Sequence, residues 1–241
     1  MPRFFTGEVY ESVAVITGDD ARHIALALRM KVGEALTACD STGRDYQCVI
    51  TEITPERVLL RVEKVAPSAG EPSVAITLYQ AMPKADKMET IIQKAVELGV
   101  SRIVPVLTHR CVSRPDEKAM QKKLERYNRI SLEAAKQCGR GTVPVVEQLI
   151  DFKSAIARMK NDPLAIFFYE NADDSLKNVL SARLADRISI LVGSEGGFEP
   201  SEADYAVENG LVSLSLGSRI LRCETAPLAA ITAILYQAGD I

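Results

Sequence analysis

The alternation of apolar and polar residues changes once along the chain. The first 66 residues contain short runs in which apolar and polar positions alternate, the pattern of strands with one buried face. These runs predict strands at Val13–Thr17, Ala35–Cys39, Tyr46–Ile53 and Arg57–Val65. A helix is predicted from Asp19 to Met30, with Gly18 before it and Gly33 after it. Together these elements predict a small β-barrel with one helix.

Beyond residue 73, predicted strands and helices alternate. Apolar runs predict strands at Val74–Gln80, Arg102–Leu107, Leu164–Tyr169, Ile188–Val192 and Leu211–Leu216. The intervening segments predict helices at Lys84–Leu98, Asp116–Cys138, Phe152–Lys160, Ser175–Leu184, Pro200–Glu208 and Pro227–Gln237. This alternation favours an α/β domain with a parallel sheet and helices on both faces. In such sheets a ligand binds at the carboxyl ends of the strands.

The segment between these two patterns, residues 67–73, is rich in Pro, Gly and Ser and has no apolar periodicity. Such a composition is typical of a linker. We therefore expect two domains, residues 1–70 and residues 73–241. With 241 residues, 47% of them hydrophobic, the chain can bury a substantial core.

The composition argues against several classes of protein. Neither a signal peptide nor an uninterrupted apolar span of ~18 residues is found, so we expect a cytoplasmic protein that does not contact the membrane. The five cysteines are scattered without a C-x-x-C pair, which predicts neither a disulfide framework nor a zinc cluster. The histidines are His23 and His109, and G-x-S-x-G and H-E-x-x-H motifs do not occur. We therefore expect no hydrolase triad and no metal site.

Positive charge is concentrated in the middle of the chain, although the net charge is −3. Residues 110–140 carry nine Lys or Arg residues against four Asp or Glu residues. A solvated helix face would explain this cluster, and so would a surface that contacts RNA. The sequence leaves both explanations open.

Two glycine-bearing segments carry the strongest chemical signal. The first follows a predicted strand and spans residues 193–197, and the second spans residues 216–226. Because both follow strands, we expect them to form one site in which backbone groups reach a ligand. Phosphate is a poor candidate, since neither G-K-[ST] nor G-x-G-x-x-G occurs and Glu195 would repel it. A cationic or neutral ligand fits better, and a tight turn that only starts a helix at Pro200 remains the alternative.

The last helix is almost wholly apolar from Leu228 to Tyr236. Such a helix needs cover on most sides, either from a partner subunit or from an internal position in the fold. Each apolar side chain buried there contributes roughly 1.5–3 kcal/mol, so we expect a homodimer.

Motifs along the whole chain resemble the ribosomal small-subunit methyltransferase E family, within the SPOUT class of trefoil-knotted methyltransferases. The matching segments, besides the two glycine-bearing ones, are Arg3-Phe4-Phe5, His23 with Leu28-Arg29-Met30 and Gly33, Pro83 to Glu89, Gln93 to Val100, Arg110-Cys111, Ala134 to Arg140 and Val143-Pro144. The resemblance implies a PUA-like β-barrel domain, a SPOUT domain with a C-terminal trefoil knot, and a homodimer. It also implies transfer of the methyl group of S-adenosylmethionine to N3 of a uridine in 16S rRNA of assembled or nearly assembled small subunits.

The resemblance also implies the site residues. For contact with S-adenosylmethionine we select Tyr169, Glu170, Leu191, Val192, Gly193, Glu195, Gly196, Gly197, Leu214, Leu216, Gly217, Ile220, Leu221, Arg222, Thr225 and Ala226. The catalytic candidates are Arg222, facing the target nucleotide, and Glu195 or Glu224, facing the positively charged sulfonium. For Glu224, a role at a helix N-terminus is the alternative. Arg219 or Arg222 could stabilise a deprotonated uracil, because arginine stays charged, but could not remove its proton.

Contacts with rRNA are expected from cationic side chains in both domains. The candidates are Arg3, Arg22, Arg29, Lys31, Lys84, Lys87, Arg110, Arg114 and Arg140. Two functions remain as alternatives: methylation of another RNA position, and RNA binding in ribosome assembly without turnover. The chain departs from the family pattern at Ser194, where proline is usual, and at Cys223, where threonine is usual. We expect both departures to change cofactor affinity modestly.

Overall fold

The computed structural model describes residues 1–172 and 174–241, which divide into two compact units. The first unit comprises Met1–Glu71 and Ala135–Val143. The second comprises Pro72–Ala134 and Pro144–Ile241. The linker-like segment at 67–73 therefore contains a boundary between units, and a short segment from later in the chain belongs to the first unit.

A six-stranded sheet forms the first unit. Its strands are β1 (Arg3–Phe5), β2 (Glu8–Tyr10), β3 (Val13–Thr17), β4 (Ala35–Cys39), β5 (Arg44–Ile53) and β6 (Arg57–Pro67), in the order β1-β4-β5-β6-β3-β2. The β1–β4 pair is parallel and the other pairs are antiparallel. Alternate residues of these strands are buried, among them Ile16, Leu36, Ile50 and Leu60, and they form one apolar core. The four predicted strands of this region are thus confirmed, and β1 and β2 were not predicted.

The helix predicted from Asp19 to Met30 is shorter and irregular. Helix α1 covers Gly18–Arg22, and a π-helical turn covers His23–Ala27. The helix ends before Arg29, because that residue adopts left-handed backbone with φ 51°. The apolar periodicity correctly predicted a helix in this segment. It does not indicate where hydrogen bonding changes locally from the α-helical i+4 to the π-helical i+5 pattern.

Residues 135–143 join the first unit through a buried ion pair. The guanidinium of Arg140 is 3% exposed and donates to both carboxylate oxygens of Glu71, at 3.1 and 2.7 Å. Glu71 also accepts hydrogen bonds from the backbone N–H groups of Gly141 and Thr142 and from the Thr142 hydroxyl. Because a buried charge requires a partner, this network fixes the segment in place.

The second unit contains a parallel sheet with helices between its strands. The strands are β7 (Ala75–Ala81), β8 (Arg102–Leu107), β9 (Val145–Val146), β10 (Ile150–Asp151), β11 (Leu164–Phe168), β12 (Arg187–Val192) and β13 (Val212–Leu214). Their order is β10-β8-β7-β12-β11-β13, and β9 pairs with β8. The helices are α2 (Lys87–Leu98), α3 (Glu117–Cys138), α4 (Phe152–Met159), α5 (Leu176–Ala182), α6 (Pro200–Glu208) and α7 (Ala226–Ala238). The last turn of α3 belongs to the first unit. Every strand pair is parallel, which confirms the predicted sheet type.

Both faces of this sheet are covered. Tyr79, Phe167 and Leu191 point to one face, where they pack in a buried cluster with residues of α4 and α6. Leu78 and Ile190 lie one position away in the pleat and are equally buried, so they point to the opposite face. Helix α7 contacts β7 and β12 and packs against α2. The predicted layer of helices on each face is therefore confirmed.

Helix α2 begins later than its sequence pattern predicts. Ala85 has left-handed backbone, with φ 52°, so residues 84–86 form a turn and the helix starts at Lys87. The helix ends at Gly99, with φ 112°, as its glycine predicts. This late start leaves the first helical residue at the carboxyl edge of the sheet, just after β7.

Candidate functional site

A cavity of about 850 Å³ opens at the carboxyl edge of the parallel sheet. Strands β7 and β12 end in register, with Gln80 beside Val192, and β11 and β13 end with Phe168 beside Leu214. The segments that leave these ends are therefore neighbours, and several of them form the walls of the cavity. We call residues 193–198, after β12, the first loop, and residues 215–225, after β13, the second loop.

Close backbone packing shapes the first loop. A Cβ atom on Gly193 would lie 3.0 Å from Cε2 of Phe198, a ring that is 1% exposed in the core cluster. Gly197 has φ 63°, and its N–H donates to the Ser194 carbonyl at 3.0 Å. The first loop therefore turns tightly onto Phe198, and glycine is needed at both positions.

A clamp from the loop after β8 fixes the outer side of the first loop. Arg110 donates through Nη1 to the Gly196 carbonyl at 3.1 Å and through Nε and Nη2 to the two oxygens of Glu199. Glu199 precedes helix α6 and forms a reciprocal capping pair with Glu202. The guanidinium thus connects the glycine backbone to the start of α6.

An ion-pair cluster connects the two loops at one wall of the cavity. Lys87 Nζ lies 2.9 Å from Glu195 Oε1 in the first loop and 3.2 Å from Glu224 Oε2 in the second loop. Glu195 also accepts from the backbone N–H of Lys84, at 3.2 Å. The thiol of Cys223 donates to Glu224 Oε2 at 3.2 Å. The cluster consists of Glu195, Lys87 and Glu224.

Local contacts set the charge states of this cluster. Burial of Glu195 disfavours its ionised form, but hydrogen bonds from Lys87 and the backbone outweigh burial and lower its pKa below 4.5. The Cys223 thiol and Lys87 lower the pKa of Glu224. Hydrogen bonds to Glu195 and Glu224 raise the pKa of Lys87. Burial and the contact with Glu224 raise the pKa of Cys223 to about 12, so it remains a thiol that can donate.

Most residues selected for cofactor contact meet in this cavity. Those that line it are Tyr169, Glu170, Val192, Gly193, Glu195, Gly196, Gly197, Leu214, Leu216, Gly217, Ile220, Leu221, Arg222 and Ala226. Leu191 is fully buried in the core beneath the cavity. Thr225 is exposed at the N-cap position of α7, and its side chain makes no capping hydrogen bond. Whether these residues hold a ligand stays a prediction.

The catalytic candidates approach the cavity from two loops. Arg222 is exposed and lines the cavity in the second loop, as does Arg219. Glu195 lines it from the first loop. Glu224 lies behind, in contact with Lys87 and Cys223, and is not part of the lining.

The candidates for RNA contact fall into two groups. Arg22, Arg29, Lys31 and Lys84 are exposed. The others have protein partners: Arg3 pairs with Asp45, Lys87 with Glu195 and Glu224, Arg110 with Glu199, and Arg140 with Glu71, while Arg114 donates to the carbonyls of Thr108, His109 and Cys111. The burial of Arg140 leaves its guanidinium no access to a phosphate, so its placement supports a structural role.

Two features of this site lacked a signal in the sequence. Lys87 and Arg110 were selected for RNA, and nothing in their local sequence indicates that they contact the loops. In the first loop and beside it, Ser194 Oγ and Gln80 Oε1 are buried without a hydrogen-bond partner within residues 1–172 and 174–241.

Within the same ranges, no three His, Cys, Asp or Glu side chains are grouped as metal ligands would be. Nor does any helix described there combine the length and apolarity needed to cross a bilayer.

Comparison with known proteins identifies two matching domain families. Residues 16–63 match a family described as RNA methyltransferase PUA domain, and residues 70–235 match a family described as RNA methyltransferase domain. The expected PUA-like domain is thereby confirmed.

Relatives of known name match over most of the chain. The ribosomal RNA small subunit methyltransferase E of Bacillus subtilis is 33% identical, over 92% of this chain and 89% of that protein. The protein of the same name from Mesomycoplasma hyopneumoniae is 30% identical, over 96% and 98%. A crystal structure of ribosomal RNA small subunit methyltransferase E from Neisseria gonorrhoeae, bound to S-adenosyl methionine, superposes with a TM-score of 0.86 at 33% identity, covering 97% of this chain and 96% of that one.

Proposed function

The chain belongs to the ribosomal RNA small subunit methyltransferase E family, and from this we propose that it methylates N3 of a uridine in 16S rRNA, with S-adenosylmethionine as the methyl donor. The observation that carries the proposal is the meeting of two glycine-bearing loops around a cavity whose wall contains an ionised carboxylate. Relatives of that name match more than nine tenths of the chain.

The residues of the cavity fit the proposed cofactor. A volume of about 850 Å³ lies within the range of small-molecule sites. A Cβ atom on Gly217, which has φ 103°, would meet no protein atom within 4 Å, so the backbone of the second loop is open to a ligand. Glu195 and Glu170 place carboxylates in the lining, beside the cations Lys87, Arg219 and Arg222, and a carboxylate can face a positively charged ligand. Both loops, together with Tyr169 and Glu170, would hold the molecule.

When bound, the cofactor supplies a methyl group on a positively charged sulfonium. The reaction breaks the methyl–sulfur bond and the N3–H bond of uracil and forms a methyl–N3 bond, with the proton leaving to solvent. Arg222 and Arg219 are exposed cations of the second loop, and they would stabilise the uracil as N3 loses its proton. Holding the methyl group of the cofactor in line with N3 of the uracil would further accelerate methyl transfer.

RNA binding is assigned to the exposed cations Arg22, Arg29, Lys31 and Lys84. Replacement of Arg29 by alanine should weaken rRNA binding and lower the slope of log K against log salt by about 0.7–0.9, the loss of one phosphate contact. Arg57, exposed on β6 of the same unit and outside the assigned set, is the matched control, and Arg57→Ala should leave the slope unchanged. An unchanged slope in Arg29→Ala would remove Arg29 from the RNA surface.

The proposal extends to assembly and location. Two copies would pair through the exposed side of α7, where Tyr236 is 73% exposed and lies beside the exposed residues Thr232 and Gln237. Sedimentation of the purified protein, and of Tyr236→Glu, tests this pairing.

A trefoil knot in the second unit and a cytoplasmic location, where ribosomal subunits are assembled, follow from the family resemblance and remain part of the proposal.

Methyl transfer from labelled S-adenosylmethionine to purified small subunits tests the function. The subunits should come from a strain that lacks the gene, and naked 16S rRNA should be compared with them. We expect label in the subunits and, after digestion, in 3-methyluridine at one position. Label at another atom or nucleotide would change the assigned target. If the protein bound both the donor and the subunits but transferred no methyl group, a non-catalytic role in ribosome assembly would be favoured.

A further inference from the structure

Lys87 holds two carboxylates together at the wall of the cavity. Its Nζ contacts Glu195 in the first loop and Glu224 in the second loop, at 2.9 and 3.2 Å. Two carboxylate oxygens that share one ammonium group are close neighbours. Without that ammonium group they would repel each other, which would raise the pKa of one of them or separate the two loops.

The three side chains together carry one negative charge. The contacts described above keep both carboxylates ionised and Lys87 protonated at neutral pH. Glu195 and Lys87 line the cavity, and their side chains are only 26% and 32% exposed. Partial burial weakens the screening by water, so this net charge acts on whatever molecule occupies the cavity.

The proposed reaction changes the charge of the cofactor. S-adenosylmethionine carries a positive sulfonium, whereas S-adenosylhomocysteine, which remains after methyl transfer, has a neutral thioether. The two molecules otherwise differ by one methyl group. A fixed charge at the wall of the cavity therefore affects the donor more than the product.

We propose that the cluster of Glu195, Lys87 and Glu224 determines how strongly the cavity prefers the cationic donor over the neutral product, and that Lys87 moderates this preference. The inference rests on the proposed function, which supplies the two ligands. The net charge of −1 favours the donor and helps the product to leave. Lys87 keeps the preference moderate while it holds the two loops together.

Changes in the net charge of the cluster should shift the ratio of the two dissociation constants in opposite directions. Lys87→Met, measured at pH ~8 where both carboxylates are ionised, makes the charge −2 and should raise the ratio of the product Kd to the donor Kd. Glu195→Gln and Glu224→Gln each make it zero and should lower the ratio. We expect about three- to tenfold for each unit of charge, measured by titration calorimetry at low salt. The shifts should shrink as salt is raised from about 50 to about 500 mM.

Two controls separate charge from structure. Lys87→Arg keeps the charge and should keep the ratio within about twofold. Lys94→Met removes a lysine of the same helix that pairs with Glu97 at 2.9 Å and lies outside the cavity lining, and it should leave both constants unchanged. The two glutamine variants test the proposal independently of Lys87→Met, in case that variant does not fold.

Equal weakening of donor and product in all three charge-changing variants would overturn the proposal and leave the cluster a purely structural role. That result would not affect the proposed function, because the protein would still bind the donor. If the unaltered protein bound neither molecule, the proposed function itself would fail, and the inference with it.

Discussion

Arg110 donates a hydrogen bond through Nη1 to the carbonyl of Gly196, 3.1 Å away, and the same guanidinium forms a two-point ion pair with Glu199. A Cβ atom on Gly196 would lie 3.0 Å from Cβ of Arg110, so the side chain lies directly on the glycine. One arginine thus secures both the backbone of the first loop and the start of α6. This contact gives a cation that was predicted to bind RNA a specific structural function.

Replacement of Arg110 by alanine should therefore weaken binding of S-adenosylmethionine by about tenfold, because the first loop loses the donor that holds its Gly196 carbonyl. The salt dependence of rRNA binding should not change. Calorimetry with the cofactor and a salt titration of rRNA affinity measure the two effects. A slope lower by about 0.7–0.9 with cofactor affinity intact would instead assign Arg110 to a phosphate.

Gly193 is expected to tolerate no side chain. Alanine at this position would press its methyl group against the ring of Phe198, 3.0 Å away, and against Gly197 Cα, 3.3 Å away. Because Phe198 is buried, the first loop must shift, and we expect cofactor affinity to fall at least tenfold. Gly7→Ala is the control, since a Cβ there meets nothing within 4 Å. A Gly193→Ala protein that binds the cofactor normally would show that this loop does not form the site.

The position of the candidate site could be predicted from sequence because parallel strands all end at one edge of the sheet. Glycine after two such strands was enough to locate the cavity. The contacts of Lys87 with Glu195 and Glu224 could not be predicted, because they join residues more than 100 positions apart in the chain. The same holds for Arg140. Its charge predicted a contact with RNA, whereas its guanidinium is buried against Glu71. A charged residue can be solvated, paired within the protein or bound to a ligand, and only the fold shows which of these applies.

Arg222 should matter for turnover more than for cofactor binding. It is an exposed cation at the cavity, and its proposed partner is the uracil that becomes negative as N3 loses its proton. Arg222→Ala should lower kcat by about 100-fold, the usual effect of removing one stabilising donor, and change the Kd of S-adenosylmethionine by less than threefold. Steady-state methyl transfer to small subunits measures kcat, and titration calorimetry measures the Kd. Arg187→Ala, at the amino end of β12, is the matched control, and an unchanged kcat in Arg222→Ala would exclude the proposed role.

Cys223→Thr restores the residue usual in the family and should change cofactor affinity by less than tenfold. The thiol is buried and donates to Glu224, and a threonine hydroxyl could donate the same hydrogen bond more strongly. Calorimetry of the two proteins side by side measures the difference. A gain above tenfold would mean that the hydroxyl contacts the cofactor directly.

The ion pair between Glu71 and Arg140 should make stability depend on pH. Burial opposes ionisation of Glu71, but hydrogen bonds from Arg140 and Thr142 outweigh it, so the pKa of Glu71 lies below 4.5 in the folded protein. A carboxyl group with a lowered pKa stabilises the fold above its ordinary pKa, and this contribution disappears as pH falls through the folded value. Glu71→Gln should therefore cost about 3 kcal/mol at pH 7, because it removes the carboxylate charge that pairs with the buried guanidinium, and progressively less below pH ~4.5.

Urea denaturation from pH 7 down to pH ~3.5 measures this difference in the free energy of unfolding. Glu63→Gln is the control: Glu63 pairs with Arg61 at the surface, where its side chain is 47% exposed. The control should lose about 0.5 kcal/mol or less at every pH, because water screens an exposed pair. If Glu71→Gln destabilised the protein equally at pH 7 and pH ~3.5, the carboxylate charge would not be what holds residues 135–143 in the first unit. The contribution of Glu71 would then come from shape and neutral hydrogen bonding, which protonation leaves largely unchanged.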